Sequence, residues 1–177
     1  MEKKLRKIIV SITGASGYSL GMRVCNLLPK DIEKHLILTD NAKVVANHEE
    51  NISIYNETQL DAPISSGSFG ADAMIIVPCS MNTLAKISVG IADNLTSRTA
   101  SVMIKERKTL LLAPRELPLS PIPLENMLKL SRIGVIIAPP IMGYYSDIKT
   151  LEDMENFIIG KWFDLLDIDN SLYKRWG

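Results

Sequence analysis

A chain of 177 residues, 46% hydrophobic and only 6% aromatic, is long enough for one core built mainly from aliphatic side chains and needs no second domain. Twenty basic residues balance twenty acidic ones, which argues against a partner polyanion and leaves only a small anion held by a local cluster. The two cysteines, Cys25 and Cys79, lack CxxC spacing, so neither a disulfide framework nor a zinc site is expected, and buried thiols in a reducing cytosol are.

The basic start, Met1 to Lys7, leads into an apolar stretch that soon meets Gly14, Ser16 and Gly17. It lacks a signal peptide's cleavage pattern and is far shorter than the roughly 20 residues of a membrane span. Lys7 to Thr13 (KIIVSIT) is a β-branched run and predicts a strand; Ser19 to Leu28 has apolar residues at helical spacing. Further strands are expected at His35 to Leu38, Ala73 to Val77, Thr109 to Ala113 and Val135 to Ala138, where near-continuous apolar runs mark burial on both faces. Helices are expected around Ala42 to Glu50, Thr83 to Val89, Leu95 to Glu106, Leu124 to Leu130 and Leu151 to Leu166. Pro63 to Gly70 and Pro114 to Pro123 read as fixed surface loops. The alternation predicts an α/β fold with a doubly wound parallel sheet and helices on both faces, as a single domain over residues 1–177.

In such a sheet the ligand lies beyond the carboxyl ends of the strands, so the residues after each strand carry the chemistry. Gly14-Ala15-Ser16-Gly17 is read equally well as a phosphate cradle or as a tight turn needing glycine. Thr39-Asp40-Asn41 reads as ordinary N-cap chemistry. Pro78-Cys79-Ser80-Met81-Asn82-Thr83 sets hydroxyl, amide and backbone donors at a second helix start facing the same crevice. Ala92 to Arg98 reads, alone, as a capping box with a solvated arginine. Arg115 and Glu116 stand together in a proline-braced loop after the Thr109 strand, a chemical arrangement more than a surface ion pair. Tyr145 and Lys161 alone would pass for an exposed tyrosine and a solvated lysine.

GASG, SSGS at Ser65 to Ser68, PCSMNTL, ADNLTSR, the KER of Lys105 to Arg107, PRELPL and the closing PP…YY, in that order and spacing, resemble the flavin prenyltransferase (UbiX) family over nearly the entire chain. The resemblance implies a three-layer Rossmann-like (flavodoxin-like) domain that binds FMN at subunit interfaces of a homododecamer in the cytoplasm. It implies a metal-independent prenyltransferase that joins the dimethylallyl group of dimethylallyl phosphate to N5 and C6 of reduced FMN. The product, prenylated FMN, would serve a UbiD-type decarboxylase.

By motif, Gly14, Ala15, Ser16, Thr39, Ser80, Met81, Asn82, Thr83 and Arg115 would contact FMN. Arg98, Lys105, Tyr145 and Lys161 would hold the substrate phosphate, and Ser16, Glu49 and Glu116 would complete the catalytic site. Thr39 and Lys161 match loosely, since relatives often carry Ser and Arg there, and lysine keeps the charge without the bidentate fork. The rival reading is an FMN-dependent decarboxylase of the phosphopantothenoylcysteine type, which the NTLAKISVGIADNL stretch also resembles. Lys105-Glu106-Arg107 and Arg115 to Leu119 favour the prenyltransferase, and neither His35 nor His48 matches the decarboxylase's histidine. A flavin carrier without chemistry would not need this charged pocket.

Overall fold

The β-branched and aliphatic runs assemble into one parallel sheet. A computed structural model describes residues 6–14, 17–39, 52–144 and 148–175. Its strands are β1 (Arg6–Ile12), β2 (Ile32–Leu38), β3 (Ile52–Asn56), β4 (Ala73–Cys79), β5 (Thr109–Pro114) and β6 (Ile136–Ile137). They lie in the order β3-β2-β1-β4-β5-β6 with every pairing parallel. The helices are α1 (Tyr18–Leu27), α2 (Met81–Val89), α3 (Leu95–Lys105), α4 (Pro121–Arg132) and α5 (Leu151–Leu165).

Successive strand residues point to opposite faces, and this alternation divides the core in two. Ile8, Val10 and Ile12, with Leu36, Leu38, Ile75, Val77 and Leu111, pack on Val24 and Cys25 of α1 and on Ile159, Trp162 and Phe163 of α5. Ile9, Ile37, Met74, Ile76, Leu110 and Leu112 pack on Leu84 and Ile87 of α2, Leu95, Ala100 and Met103 of α3, and Leu130 of α4. Both faces of the central strands are therefore dry, which is why they read as unbroken apolar runs. Gly21 lets α1 lie close on the sheet: a Cβ there would sit 2.4 Å from the Val77 carbonyl oxygen. Both cysteines are buried thiols outside any disulfide, and among the described residues no helix is long and apolar enough to cross a membrane.

Several expectations change. β3 was not anticipated, because its ISIYN residues mix polar with apolar and are all half-buried or exposed at the sheet edge instead of forming an apolar run. The Pro114 to Pro123 loop is shorter than read, since α4 begins at Pro121, where a first-turn helix position has no use for an amide hydrogen. Only Ile136–Ile137 of the last apolar run pairs in the sheet. Pro63 to Gly70 contains two short 3-10 turns. The helix expected around Ala42 to Glu50 lies outside the described residues.

His35, 2% exposed on β2, is a polar exception in the core. Its Nε2 lies 2.9 Å from Glu33 Oε1 and its Nδ1 3.3 Å from the Tyr55 hydroxyl, with the Phe69 ring edge-on at 4.8 Å. Lys7 sits over Phe69 at 4.2 Å and 3.8 Å from Glu33. Burial lowers the His35 pKa against the raising effect of Glu33, so the unfolded chain binds the proton more readily. The stability due to neutral His35 is fully present above the ordinary value of 6.5 and is lost as pH falls below it. The urea midpoint should fall from neutral pH to about pH 5, and fall less in His35→Gln. Identical pH profiles for the two proteins would contradict this account.

Candidate active site at the carboxyl pole of the sheet

Strand order reverses between β1 and β4, so a crevice opens beyond their carboxyl ends. The two loops there are tied together. The Thr13 hydroxyl donates to the Pro78 carbonyl at 3.0 Å and accepts from the Ser80 amide at 2.9 Å, while the Thr13 amide donates to the same carbonyl at 3.2 Å. Gly14 and Gly17 take φ values of 89° and 93°, a left-handed geometry that glycine adopts without strain. At Gly17 a Cβ would also come 3.3 Å from Pro78 Cγ. The turn thus needs its glycines for backbone reasons, and it also holds the chain close to the β4 loop.

Ser80 caps α2: its Oγ accepts from the Thr83 amide at 3.1 Å and donates to the Thr83 hydroxyl at 2.9 Å. The first turn of a helix leaves its amides without intrahelical acceptors. With Thr83 satisfied by Ser80, the amides of Met81 and Asn82 remain to meet an anion at the positive end of the helix dipole. Cys79 pairs in register with Pro114, which sets exposed Arg115 and Glu116 beside this helix start. Glu116 Oε1 accepts from the Leu117 amide at 3.3 Å. Thr39, half-buried, follows Leu38, whose register partner is Ile12, so it stands at the same rim. Gly14, Thr39, Ser80, Met81, Asn82, Thr83, Arg115 and Glu116 are therefore brought together. Burial pushes the Cys79 thiol up to about 12, so this neighbour of Ser80 stays neutral and is no nucleophile.

Arg98 projects from the first turn of α3, exposed at the same pole. The turn is fixed by an Asn94–Ser97 capping box, by the Leu95 amide bound to the Glu57 carbonyl at 2.7 Å and by a 2.8 Å hydroxyl contact between Thr96 and Ser11 of β1. The solvated-arginine reading and the functional one share this geometry. Lys105 is elsewhere. It ends α3, pairs with Glu106, and lies just before β5, whose Thr109 is in register with Ala73 at the start of β4. At about 3.3 Å per strand residue that is about 20 Å from the crevice. Lys161 is also nearer the opposite pole, five residues before Leu166, whose carbonyl accepts from Arg6 at the start of β1. One chain therefore does not bring Lys105 and Lys161 to its own Arg98. Ala15, Ser16, Glu49 and Tyr145 lie outside the described residues.

Thr13 was missed in the sequence, where it reads as the last β-branched residue of a strand. Its only signal is a hydroxyl at the point where the strand meets the glycine turn.

Fold and crevice define a flavoprotein, and residues 1–163 match the Flavoprotein family model. The flavin prenyltransferase UbiX of Helicobacter pylori is 50% identical over 184 residues, covering 97% of this chain and 98% of that protein. A dodecameric FMN-dependent UbiX-like decarboxylase from Escherichia coli O157:H7 superposes with a TM-score of 0.89 at 37% identity, over 97% of this chain and 99% of that one. AnUbiX (PadA1), solved in complex with FMN and dimethylallyl pyrophosphate, gives 0.86 at 39% identity, over 98% of each chain. The chain belongs to the flavin prenyltransferase UbiX family.

Thr13→Val removes the hydroxyl that joins the two loops and leaves the Ser80 amide without its acceptor, so FMN affinity should fall about tenfold. Flavin fluorescence titration measures it. Unchanged affinity would show that the tie does not shape the site.

Proposed function

We propose that this chain is a flavin prenyltransferase working as one FMN-binding domain in the cytoplasm, transferring a dimethylallyl group from its phosphate ester to reduced FMN. The observation that carries the reading is the β4–β5 register, which sets Arg115 and Glu116 against the phosphate-ready start of α2. That crevice suits FMN: backbone amides, the Ser80 and Thr83 hydroxyls and the Arg115 guanidinium form a donor set for a phosphate-bearing flavin, joined by Gly14, Thr39, Met81 and Asn82 and, by motif, Ala15 and Ser16. When bound, reduced flavin would supply the electron-rich ring that takes up the dimethylallyl group through two of its carbons, at N5 and C6.

The protein's own work is electrostatic and positional. Arg98, Lys105 and Lys161, with the Tyr145 hydroxyl, neutralise the departing phosphate, as cationic clamps do for phosphoryl groups. Glu116, with Ser16 and Glu49 as motif-based partners, takes up the proton released at the flavin carbon. Orientation of both reactants in one crevice is worth about 7–11 kcal/mol of barrier. Lys105 and Lys161 can join Arg98 only across subunit contacts, because their own chain holds them near the other pole. This gives the assembly a chemical purpose, and the homododecamer supported by the dodecameric relative is the form we assign. The product passes to a UbiD-type decarboxylase.

Anaerobic incubation with reduced FMN and dimethylallyl phosphate, followed by mass analysis of the extracted flavin, should show a five-carbon gain. Lys105→Ala should abolish most of the gain, and Glu116→Gln most of the fully cyclised product, each while retaining FMN. Assemblies co-expressed from the two variants should recover about a quarter of wild-type turnover, since half the chains supply each intact residue and random pairing multiplies the halves. A flavin of unchanged mass would overturn the activity, and co-assembly without recovery would overturn the shared site.

A further inference from the structure

The tail after α5 folds back onto that helix around a single carboxylate. Asp164 accepts from Asn170 Nδ2 at 2.9 Å, from the Tyr173 hydroxyl, and from both terminal nitrogens of Arg175 at 2.7 and 3.2 Å. Burial opposes the charge of this carboxylate, but Arg175, Tyr173 and Asn170 outweigh it and hold its pKa below the usual range. The ring of Tyr173 lies against the helix at Gly160, where a Cβ would come 2.4 Å from Cδ1. Phe157 meets the same ring edge-on at 5.3 Å. Arg175 stands 5.5 Å from its centroid and the Lys161 ammonium 5.6 Å.

These contacts leave Lys161 in an unusual state. Asp164 lies three residues along, on the same helix face, and would be its natural ion-pair partner. Its oxygens are instead occupied by Arg175, Tyr173 and Asn170. Among the described residues no carboxylate pairs with Lys161, and the group beneath its ammonium is a neutral π face, which orients a cation without cancelling its charge.

We propose that Tyr173 is a positioning residue for the prenyl-phosphate substrate: held on Gly160 by Asp164, its ring is the platform that keeps the Lys161 ammonium extended and uncommitted, ready for the phosphate. The inference rests on the reading of Lys161 as a phosphate ligand and adds to it the tail segment 168–175. Arg175 has a double part, saturating Asp164 so that this carboxylate does not capture Lys161, and standing 5.5 Å from the ring centroid as a second cation against the platform.

The test is a double-mutant cycle on the full-length protein with KM for dimethylallyl phosphate as the readout and FMN affinity as the control. Lys161→Ala should raise KM about twentyfold and Tyr173→Leu about fivefold, both with FMN affinity unchanged. In the Lys161→Ala background, Tyr173→Leu should have no further effect, because a platform without its cation does nothing. Tyr173→Phe, which keeps the ring on Gly160, should return KM to within about twofold of wild type and guards against misfolding of the leucine variant. If Lys161→Ala leaves KM unchanged, the underlying assignment of Lys161 fails. If Lys161→Ala raises KM but Tyr173→Leu does not, or the two effects multiply independently, the platform is overturned while that assignment stands.

Discussion

The hydroxyl of Thr13, shared between the Pro78 carbonyl and the Ser80 amide, is the contact on which the arrangement of the crevice depends. It lies where strand order reverses and fastens the end of β1 to the end of β4 and the start of α2. A phosphate site made of backbone amides has no long side chains to adjust; its donors must already be in place. Rigidity at this seam is therefore what a backbone-amide site needs in place of long, adjustable side chains.

The charged side chains of the proposed site are split between the two ends of the sheet. Arg98, Arg115 and Glu116 belong to the carboxyl pole, whereas Lys105 and Lys161 are carried toward the amino pole by helices that run back down the faces. A parallel α/β fold imposes this separation, because every helix that starts beside the crevice ends far from it. On the proposed reading, collecting three cations around one leaving group calls for neighbouring copies, which the evenly balanced net charge does not reveal. Lys161 stands exposed on its helix face, and the folded-back tail gives it a contact with the Tyr173 ring.

Much of this was legible in the residues. Lys7 to Thr13, Ala73 to Val77 and Thr109 to Ala113 announced central strands because both faces of each are covered, and the Pro78 to Thr83 segment announced a helix start, which Ser80 caps through the Thr83 amide. β3 escaped notice because an edge strand with a half-exposed face has no apolar run. Pro121 and Pro123 looked like loop residues because proline serves helix starts and loops equally well. Thr13 was hidden for a different reason: its partners are 65 and 67 residues away in sequence, and nothing local distinguishes a bridging hydroxyl from a strand end. Motif order placed Lys105 and Lys161 with Arg98, but motif order carries no information about which pole, or which copy, presents a side chain.

The central claim is that the seam between β1 and β4 is a phosphate site for the flavin, and the most direct measurement compares FMN with riboflavin, its phosphate-free counterpart, by calorimetric titration. Removing a phosphate held by several charge-assisted and backbone hydrogen bonds should weaken binding at least about a hundredfold. Equal affinity for the two flavins would contradict the account, because the donors gathered by Thr13 and Ser80 would then have no ligand to hold.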